Sequence, residues 1–407
     1  MSDQHCIIVG GSHAAAQVVA TLLANHWPGQ ITLVSADSYL PYHRPPLSKT
    51  YLAGDKTIEQ LLIRPAAFYD KPNLEVLLNT RVTRIERAAR RVHLDNHSDL
   101  PYSKLVLTTG AQVRRIATPG HNLPGVFYLR DVTDVDHIRE HLPQARSAVI
   151  VGGGYIGLET AAALRTLGLE VTVLEALPRV LQRVTTEELS AFYTRVHEEE
   201  GVRVRTGVCL TAINGGRGVQ SVTLDTGEEI PTDLVIVGIG VTPDTDLAEE
   251  AGLAVDNGVV VDEYARTSDP DILAAGDCTN HYNPLYARRL RLESVQNASD
   301  QGKVAANTVC GKLEPYNALP WFWSDQYDVK LQIAGLSQGY DRVIVRGSTT
   351  QGRSFAAFYL QGERLLAVDA VNRAKEFMFC RKALSEGLRV NPEVLADDTA
   401  GIQEAFL

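Results

Sequence analysis

One pattern occurs twice in this chain and limits its fold more than any other feature: an apolar strand, a glycine-rich turn, a helical stretch and a second apolar strand. The first copy runs from Cys6 to Asp37 and the second from Ser147 to Glu175. This is the βαβ unit of a doubly wound α/β fold. The turn glycines Gly10 and Gly152 stand 142 positions apart (152 minus 10), which indicates two separate domains rather than a short repeat.

The second turn carries a complete dinucleotide-binding motif, Gly152-x-Gly154-x-x-Gly157. The first glycine makes the tight turn, the second lets the backbone approach a pyrophosphate, and the third lets helix and strand pack closely. Glu175 ends the second strand, where a carboxylate accepts hydrogen bonds from ribose hydroxyls and repels a 2′-phosphate. The pattern therefore favours NAD(H) over NADP(H).

The first turn departs from this motif at two of its three glycine positions. Ser12 occupies the middle position and Ala15 the last, where alanine is a permitted variant. The Ser12 side chain crowds a pyrophosphate, but its hydroxyl is able to donate to a phosphate oxygen. Asp37 is the matching ribose carboxylate, with Ser35 near it. We predict nucleotide binding here too, with His13 as a loop residue beside the phosphate rather than an acid or base.

A third signal lies at Gly276-Asp277, which follows a short apolar strand in the run Thr267-Ser-Asp-Pro-Asp-Ile-Leu-Ala-Ala-Gly-Asp. This run resembles the second FAD motif of the flavoprotein reductases that bind two dinucleotides. In those proteins the aspartate holds the ribityl chain of the flavin, and the resemblance implies the same role for Asp277.

The block Arg44–Lys49, with the sequence Arg-Pro-Pro-Leu-Ser-Lys, narrows the family. It resembles the corresponding block of the oxygenase-coupled, NADH-dependent FAD ferredoxin reductases, the putidaredoxin reductase-like family. The resemblance covers essentially the whole chain, with Ser12 and Gln296 as local departures. It also includes the segments Gly152–Glu159, Gly238–Gly240, Glu293–Ala298 and Trp321–Tyr327.

The resemblance implies the roles of most site residues. Lys49 would lie near the flavin N5 edge, with Glu159 as the partner that orients the nicotinamide, and these two are the predicted catalytic residues. Trp323 would lie near the flavin and the ferredoxin-docking surface, with ordinary core packing as the alternative. The predicted FAD contacts are Gly10, Ser12, His13, Ala14, Ala15, Ser35, Asp37, Arg44, Lys49, Val82, Thr109, Gly110, Arg130, Asp277, Val295 and Trp323. The predicted NAD contacts are Gly152, Gly154, Tyr155, Ile156, Gly157, Glu159, Glu175, Gly238, Ile239 and Gly240.

The positions of the cysteines and the net charge restrict which kinds of electron acceptor and partner this chain is able to use. The five cysteines are scattered without a Cys-x-x-Cys, so the chain lacks the dithiol relay of glutathione reductase, and we predict no metal site. The net charge of −10, from 39 basic and 49 acidic residues, argues against nucleic acid as a partner. The resemblance implies a [2Fe–2S] ferredoxin, itself acidic, so docking needs a local basic surface. The candidates are Arg288, Arg289, Arg291 and Lys303, with ordinary solvated charges as the alternative.

These patterns predict an α/β fold class: two Rossmann-like domains, arranged as in glutathione reductase, and a C-terminal α+β domain. The alternating segments after Pro320 are typical of an antiparallel sheet in that last domain. The predicted division is 1–112 with 238–318 for a discontinuous FAD domain, 113–237 for an NAD domain, and 319–407 for a C-terminal interface domain.

The expected activity is NADH-dependent reduction of a ferredoxin that supplies a bacterial oxygenase, with a haem-thiolate monooxygenase favoured over a ring-hydroxylating dioxygenase. Rubredoxin reductase is the nearest alternative. A slow flavoprotein similar to apoptosis-inducing factor, with a signalling or structural role, is a second one. No apolar run reaches the length of a membrane span, so we expect a cytoplasmic protein, and we expect a monomer. The sequence does not name the oxygenase or its substrate.

Overall fold

The computed structural model describes residues 4–406 and divides the chain into two compact units. Unit 1 contains the residues up to Arg44, Thr57–Gln112 and Val241–Ala318. Unit 2 contains Pro45–Lys56, Val113–Gly240 and the residues from Leu319 onward.

Unit 1 is built on a five-stranded parallel sheet. Its strands, in spatial order, are Ile272–Ala274, Lys104–Leu107, His5–Val9, Gln30–Val34 and Leu74–Leu77. Two three-stranded sheets accompany it, one of Val82–Glu86, Arg91–Leu94 and Asp99–Pro101, the other of Val259–Val261, Thr279–Asn283 and Arg288–Leu290. The α-helices are His13–Ala24, Ile58–Leu61, Asp246–Glu250 and Val295–Val309, and a 3-10 turn covers Ala66–Phe68.

Unit 2 contains a second five-stranded parallel sheet and a five-stranded antiparallel sheet. The parallel strands, in spatial order, are Arg203–Thr206, Glu170–Glu175, Ser147–Val151, Leu234–Val237 and Val126–Tyr128. The antiparallel strands are Trp321–Gln326, Val329–Gly335, Arg364–Val371, Phe355–Gln361 and Arg342–Gly347. A small sheet consists of Leu210–Gly215, Val219–Leu224 and Glu229–Pro231. The α-helices are Val132–His141, Tyr155–Thr166, Glu187–Glu199, Ala374–Glu386 and Pro392–Ala396, with 3-10 turns at Pro45–Ser48, Leu142–Gln144 and Ile402–Ala405.

The strand His5–Val9 shows why the motif strands are continuously apolar. Cys6 and Ile8 pack into one core cluster of unit 1, whereas Ile7 and Val9 pack into another, so both faces of the strand are buried. Parallel sheets are covered on both faces in this way because their crossover helices lie on them. In the antiparallel sheet of unit 2, the strands Phe355–Gln361 and Arg364–Val371 are also buried on both faces, whereas the strand Trp321–Gln326 is only partly buried, with Ser324 and Gln326 as its buried residues.

The predicted fold class is confirmed: both βαβ units and the C-terminal antiparallel sheet are present. A two-stranded ribbon, Ala111–Val113 with Val241–Pro243, contains the points where the chain leaves unit 1 and returns to it. The division into FAD, NAD and C-terminal domains stays a prediction, since packing units and cofactor domains are different divisions. Pro45–Lys56, for example, packs with unit 2. Within residues 4–406, no helix combines the length and apolar character that a membrane crossing requires.

Candidate functional site

The three motif glycines of unit 2 are required for three different reasons. Gly152 has a φ of +112°, which favours glycine, and a Cβ there would overlap the carbonyl oxygen of Gly238. A Cβ on Gly157 would overlap the carbonyl oxygen of Gly152, so this glycine lets the helix approach the turn. Gly154 is different, because a Cβ would meet no atom within 4 Å. The turn therefore leaves open space at its middle glycine, where the motif places a pyrophosphate.

Glu175 supports the same turn from the end of its strand. One carboxylate oxygen accepts the backbone N–H of Gly153 at 2.7 Å and the other accepts that of Leu177 at 2.8 Å. Arg179, four positions on, donates to the carbonyl oxygens of Thr185 and Thr186 and is thereby held inside unit 2. Glu175 thus places negative charge at the turn, and within residues 4–406 no arginine pairs with it, an arrangement that disfavours a 2′-phosphate.

The first turn, in unit 1, has the same backbone with different side chains. Gly10 has a φ of +110°, and a Cβ would overlap the carbonyl oxygen of Thr108. Ser35 is buried, and its hydroxyl accepts the backbone N–H of Asp37 at 3.1 Å. Ser12 lies at the start of the helix, with its hydroxyl 3.4 Å from Nδ1 of His13. Ala14 and Ala15 are buried in the core, so the alanine at the last motif position packs where unit 2 needs glycine.

Asp37 is held by side chains rather than by backbone. The Tyr42 hydroxyl donates to its Oδ2 at 2.8 Å and the Arg44 guanidinium at 3.2 Å. Arg44 also lies over the Tyr42 ring, 4.6 Å from its centroid. His13 is buried, and its Nε2 lies 3.3 Å from Nδ1 of His43. The predicted first-turn residues are therefore brought together in unit 1.

Both motif helices begin without a side-chain cap. The Ser12 side chain accepts no backbone N–H of its helix, Gly154 has no side chain that could, and neither first turn contains an acidic residue. The helices Val132–His141 and Glu187–Glu199, in contrast, are capped by Asp131 and Thr186. Uncapped helix N-termini offer free N–H groups and a positive dipole end, which suit a phosphate. With the open space at Gly154, the residues present fit a dinucleotide pyrophosphate.

Lys49 and Glu159 form an ion pair in unit 2, in which the Lys49 side chain is 18% exposed and the Glu159 side chain 6%. Lys49 follows the 3-10 turn Pro45–Ser48, and its Nζ lies 2.5 Å from Oε2 of Glu159. The same ammonium donates to the carbonyl oxygen of Pro45 at 3.2 Å and to the Ser48 hydroxyl at 3.4 Å. Glu159, in the helix that follows the Gly152 turn, is only 5% exposed. The structure thus brings the two predicted catalytic residues into contact and holds the Lys49 ammonium in one position.

Two more hydroxyl groups hold Glu159, and the sequence analysis did not single them out. Ser48 donates to Oε2 and Ser324 to Oε1, each at 2.7 Å. Ser48 stands inside the Arg44–Lys49 block, and Ser324 follows Trp323 on an alternating strand. Both could have been found as buried polar residues next to predicted site residues. Tyr42, which holds Asp37, was missed as well and has no comparable signal.

Tyr155 and Ile156 open the helix after the second turn. The Tyr155 ring packs against Phe322 with centroids 5.1 Å apart, and its hydroxyl is buried without a hydrogen-bond partner among residues 4–406. Burial raises the pKa of the Tyr155 phenol, and the charge of Asp369 raises it further. Ile156 is an apolar side chain that is 46% exposed. Such exposure is consistent with its predicted place beside a nicotinamide.

The remaining predicted cofactor contacts divide between the units. In unit 1, Asp277 follows Gly276, whose N–H donates to Gln301, and Thr109 donates to the carbonyl oxygen of Asp244. Val82, Gly110 and Val295 also belong to unit 1, whereas Arg130, Trp323, Gly238, Ile239 and Gly240 belong to unit 2. Trp323 is half-buried and packs against Trp321 at a centroid distance of 5.5 Å. Packing and a functional role are therefore both compatible with this tryptophan.

The four predicted docking residues all lie in unit 1 but differ in availability. Arg289 is exposed, yet its guanidinium donates to the carbonyl oxygen of Val261. Arg291 pairs with Glu293 at 2.5 Å, and two nitrogens of the half-buried Arg288 have no partner among residues 4–406. Lys303 is exposed and forms no ion pair within the described part of the chain. Lys303 therefore offers the more accessible positive charge.

The cysteines form no redox pair. All five are free thiols, of which Cys6, Cys278 and Cys380 are buried and Cys209 is exposed. Across residues 4–406, no group of three or more His, Cys, Asp or Glu side chains is placed to hold a metal ion.

Two family descriptions match this chain. The description "Pyridine nucleotide-disulphide oxidoreductase" matches residues 4–302, and "Reductase C-terminal" matches residues 321–406. Together they cover both units described above.

Curated relatives and a solved structure match over nearly the full length. Putidaredoxin reductase CamA of Pseudomonas putida is 43% identical, over 99% of this chain and 97% of that protein. The 5,5′-dehydrodivanillate O-demethylase ferredoxin reductase subunit of a Sphingobium strain is 44% identical, over 98% and 97%. A rubredoxin-NAD(+) reductase of Pseudomonas putida is 39% identical, over 91% and 96%. The covalent putidaredoxin reductase–putidaredoxin complex matches with a TM-score of 0.96 at 42% identity, over 99% of this chain and 98% of the other.

Proposed function

We propose a specific electron-transfer role for this chain, which belongs to the pyridine nucleotide-disulphide oxidoreductase family and, within it, to the FAD-dependent ferredoxin reductases of oxygenase systems. The proposed reaction is reduction of a [2Fe–2S] ferredoxin by NADH. The reduced ferredoxin then supplies a haem-thiolate monooxygenase.

The observation that carries this proposal is the ion pair between Lys49 and Glu159, a residue of the helix that follows the second turn. Its ammonium is fixed by three oxygen atoms, so it does not need to reorient when negative charge develops nearby. Glu159 balances the charge of the ammonium, and an ion pair held in one orientation stabilises negative charge that develops on its ammonium side. No cysteine pair accompanies it, which supports an external electron acceptor.

In this proposal the first turn holds FAD and the second holds NADH. Asp37 and Asp277 would bind hydroxyl groups of FAD, and the uncapped helix start at Ser12 would bind its pyrophosphate. Glu175 would accept the ribose hydroxyls of NADH, while Glu159 orients the nicotinamide. FAD, when bound, supplies the chemistry that converts a two-electron donor into a one-electron donor. The protein contributes binding, orientation and the fixed charge of Lys49.

For the docking of ferredoxin we propose the surface around Lys303, with Arg288, Arg289 and Arg291 as further candidates in the same unit. A chain of net charge −10 repels an acidic partner at long range, so a local positive charge must favour the encounter. Lys303→Glu should raise the KM for ferredoxin about threefold to tenfold at low salt. Lys312→Glu is the matched control, since Lys312 is also an exposed lysine of unit 1. Equal effects of the two substitutions, or none for Lys303→Glu, would contradict this docking site.

A rubredoxin is the second candidate acceptor, and the match to a rubredoxin-NAD(+) reductase favours it. For the oxygenase, the segment Trp321–Tyr327 resembles the haem-thiolate branch of the family, and a ring-hydroxylating dioxygenase is the alternative. Reconstitution with the ferredoxin and oxygenase of each system, measured as product formed per NADH consumed, decides between the two. A cytoplasmic location and a monomeric state stay predictions.

The decisive experiment is anaerobic mixing of the FAD-loaded protein with NADH, followed by an oxidised [2Fe–2S] ferredoxin or a rubredoxin. We expect fast bleaching of the flavin absorbance and then reduction of the ferredoxin. Reduction of rubredoxin alone would assign the second candidate. A long-lived charge-transfer band with both carriers still oxidised would overturn the electron-transfer role and favour a slow flavoprotein similar to apoptosis-inducing factor.

A further inference from the structure

A row of buried polar side chains leads to Glu159 from the C-terminal sheet of unit 2. Ser324 and Gln326 point to the buried side of the strand Trp321–Gln326, and His197 comes from the helix Glu187–Glu199. Ser324 and His197 are fully buried, and Gln326 is 2% exposed. Burying three polar side chains costs free energy unless each is hydrogen-bonded, so their bonding order is informative.

The hydrogen bonds of this row all run in one direction. An ionised Glu159 can only accept, so the Ser324 hydroxyl donates to its Oε1 at 2.7 Å. Ser324 in turn accepts Nε2–H of Gln326 at 3.1 Å. The Gln326 amide oxygen, 2.8 Å from Nε2 of His197, then accepts the imidazole proton. Every donor in the row points towards the carboxylate.

At the end of the row away from Glu159, the hydrogen bonds of His197 have the same direction. Burial lowers the pKa of His197, which favours a neutral imidazole with one proton, on Nε2. Its Nδ1 is then free to accept the Tyr327 hydroxyl, which lies 3.4 Å away. Tyr327 has a φ of +53°, an unfavourable backbone conformation for a bulky residue, and its ring packs edge-on against His197. The hairpin turn therefore holds a strained tyrosine where its hydroxyl meets the imidazole.

We infer that Ser324, Gln326 and His197 are positioning residues for Glu159: they form a polarised hydrogen-bond row that keeps its Oε1 occupied and its carboxylate in one orientation. Lys49 and Ser48 both contact Oε2. Within residues 4–406, Ser324 is the hydrogen-bond donor to the other oxygen. Aligned hydrogen bonds polarise one another, so the row holds the carboxylate in place more firmly than a single hydroxyl would. This inference rests on the proposed role of Glu159 at the nicotinamide.

The test is stopped-flow reduction of the FAD-loaded protein by NADH, which separates the limiting rate from the NADH Kd. Ser324→Ala should lower the limiting rate about tenfold or more, because a buried charge loses a hydrogen bond. The NADH Kd should change less than twofold, since the Gly152 turn is untouched. Gln326→Leu should lower the rate less, about threefold, because it acts one bond further away. Ser324→Thr, which keeps the hydroxyl, should restore most of the rate.

The matched control is Ser221→Ala, which removes another buried serine hydroxyl of unit 2 that donates to a glutamate, Glu229. It should leave the limiting rate unchanged. FAD content and melting temperature report whether each variant is folded. If Ser324→Ala does not fold, Gln326→Leu still tests the row, because it leaves Ser324 and its bond to Glu159 in place.

The same substitutions in a Glu159→Gln background distinguish positioning from general stabilisation. If Ser324 acts through Glu159, Ser324→Ala should lower the rate less than twofold in that background. A full tenfold loss there, or no loss in the parent, overturns the inference while leaving the proposed function intact. An unaltered rate in Glu159→Gln alone overturns the role of Glu159 and the inference with it. Absence of any flavin reduction by NADH in the parent would instead overturn the proposed function.

Discussion

The two glycine turns share one backbone and differ in the groups that hold it. In unit 1, Asp37 is held by the side chains of Tyr42 and Arg44. In unit 2, Glu175 accepts one backbone N–H from the turn, that of Gly153, and one from Leu177 beyond its own strand, and no arginine pairs with it within residues 4–406. Asp37 thus depends on neighbouring side chains for its position, whereas Glu175 depends on backbone groups. This difference fits a resident FAD at the first turn and an exchangeable NADH at the second.

The largest effect is expected at the last position of the glycine motif, where unit 2 has Gly157 and unit 1 has Ala15. Gly157→Ala would place a Cβ against the carbonyl oxygen of Gly152, so we expect unit 2 to lose more than about 3 kcal/mol of unfolding free energy. Gly154→Ala, with open space around it, should leave the melting temperature within a few degrees but weaken NADH binding. Thermal melting and NADH titration measure both. Equal melting temperatures for the two variants would contradict the assignment of roles.

The next prediction concerns how stability depends on pH, through one buried titratable group in each unit. Burial, together with the positive charge of Arg289, lowers the pKa of His281 in unit 1 from 6.5 to about 4. Between these two pH values the unfolded chain binds more protons than the folded chain, so the free energy of unfolding rises with pH. Burial raises the pKa of Asp369 in unit 2 to about 6, despite hydrogen bonds from Tyr359 and Thr185. Between 3.8 and 6 the folded chain therefore holds the extra proton, and stability falls as pH rises.

His281 and Asp369 thus change the free energy of unfolding with pH in opposite directions, each by at most about 1.4 kcal/mol per pH unit. Substituting one residue at a time separates the two contributions. Asp369→Asn should make the melting temperature climb more steeply with pH between pH 4.5 and 6 than it does in the parent. His281→Gln should have the opposite effect over the same range. Melting curves with excess FAD measure both variants, and parallel pH profiles in all three proteins would show that neither group titrates as described.

A smaller effect is expected when the carboxylate of Glu175 or of Asp37 is removed. Each substitution should cost about 1.5 to 3 kcal/mol of cofactor-binding free energy, or about tenfold to a hundredfold in affinity. Glu175→Ala should raise the Kd for NADH and reduce the preference for NADH over NADPH in kcat/KM, with FAD retained. Asp37→Ala should loosen FAD and leave the NADH Kd nearly unchanged in the FAD-loaded protein. FAD release and coenzyme kinetics check both, and if each variant weakened both cofactors equally the division of roles between the turns would be wrong.

The smallest effect concerns Ala15, the residue of unit 1 that corresponds to Gly157. Ala15→Gly restores the glycine of the complete motif, but it removes a buried methyl group and loosens the helix, so it should cost about 1 kcal/mol of unfolding free energy. Its FAD affinity should stay the same. A stabilised variant would show that the first turn is strained at this position, contrary to the packing of Ala15 in the core.

Much of the fold was predictable because its signals are local. The βαβ unit predicted from Ser147 to Glu175 agrees with the structure, in which the strands Ser147–Val151 and Glu170–Glu175 flank the helix Tyr155–Thr166. Apolar runs, turn glycines and helix stops each depend on a few neighbouring residues. The packing of Pro45–Lys56 with unit 2 was not predictable in this way, because a short loop block carries no periodic pattern.

The sequence by itself determined the two turns and the carboxylate at the end of each, since glycine spacing and strand ends are properties of adjacent residues. Only the tertiary structure decided what surrounds Glu159. Its donors Ser48 and Ser324 stand 111 and 165 positions away along the chain, and Lys49 follows Ser48 directly. A buried carboxylate is stable where donors from distant segments converge on it, and that convergence is set by packing of a helix, a loop and a sheet rather than by any local pattern.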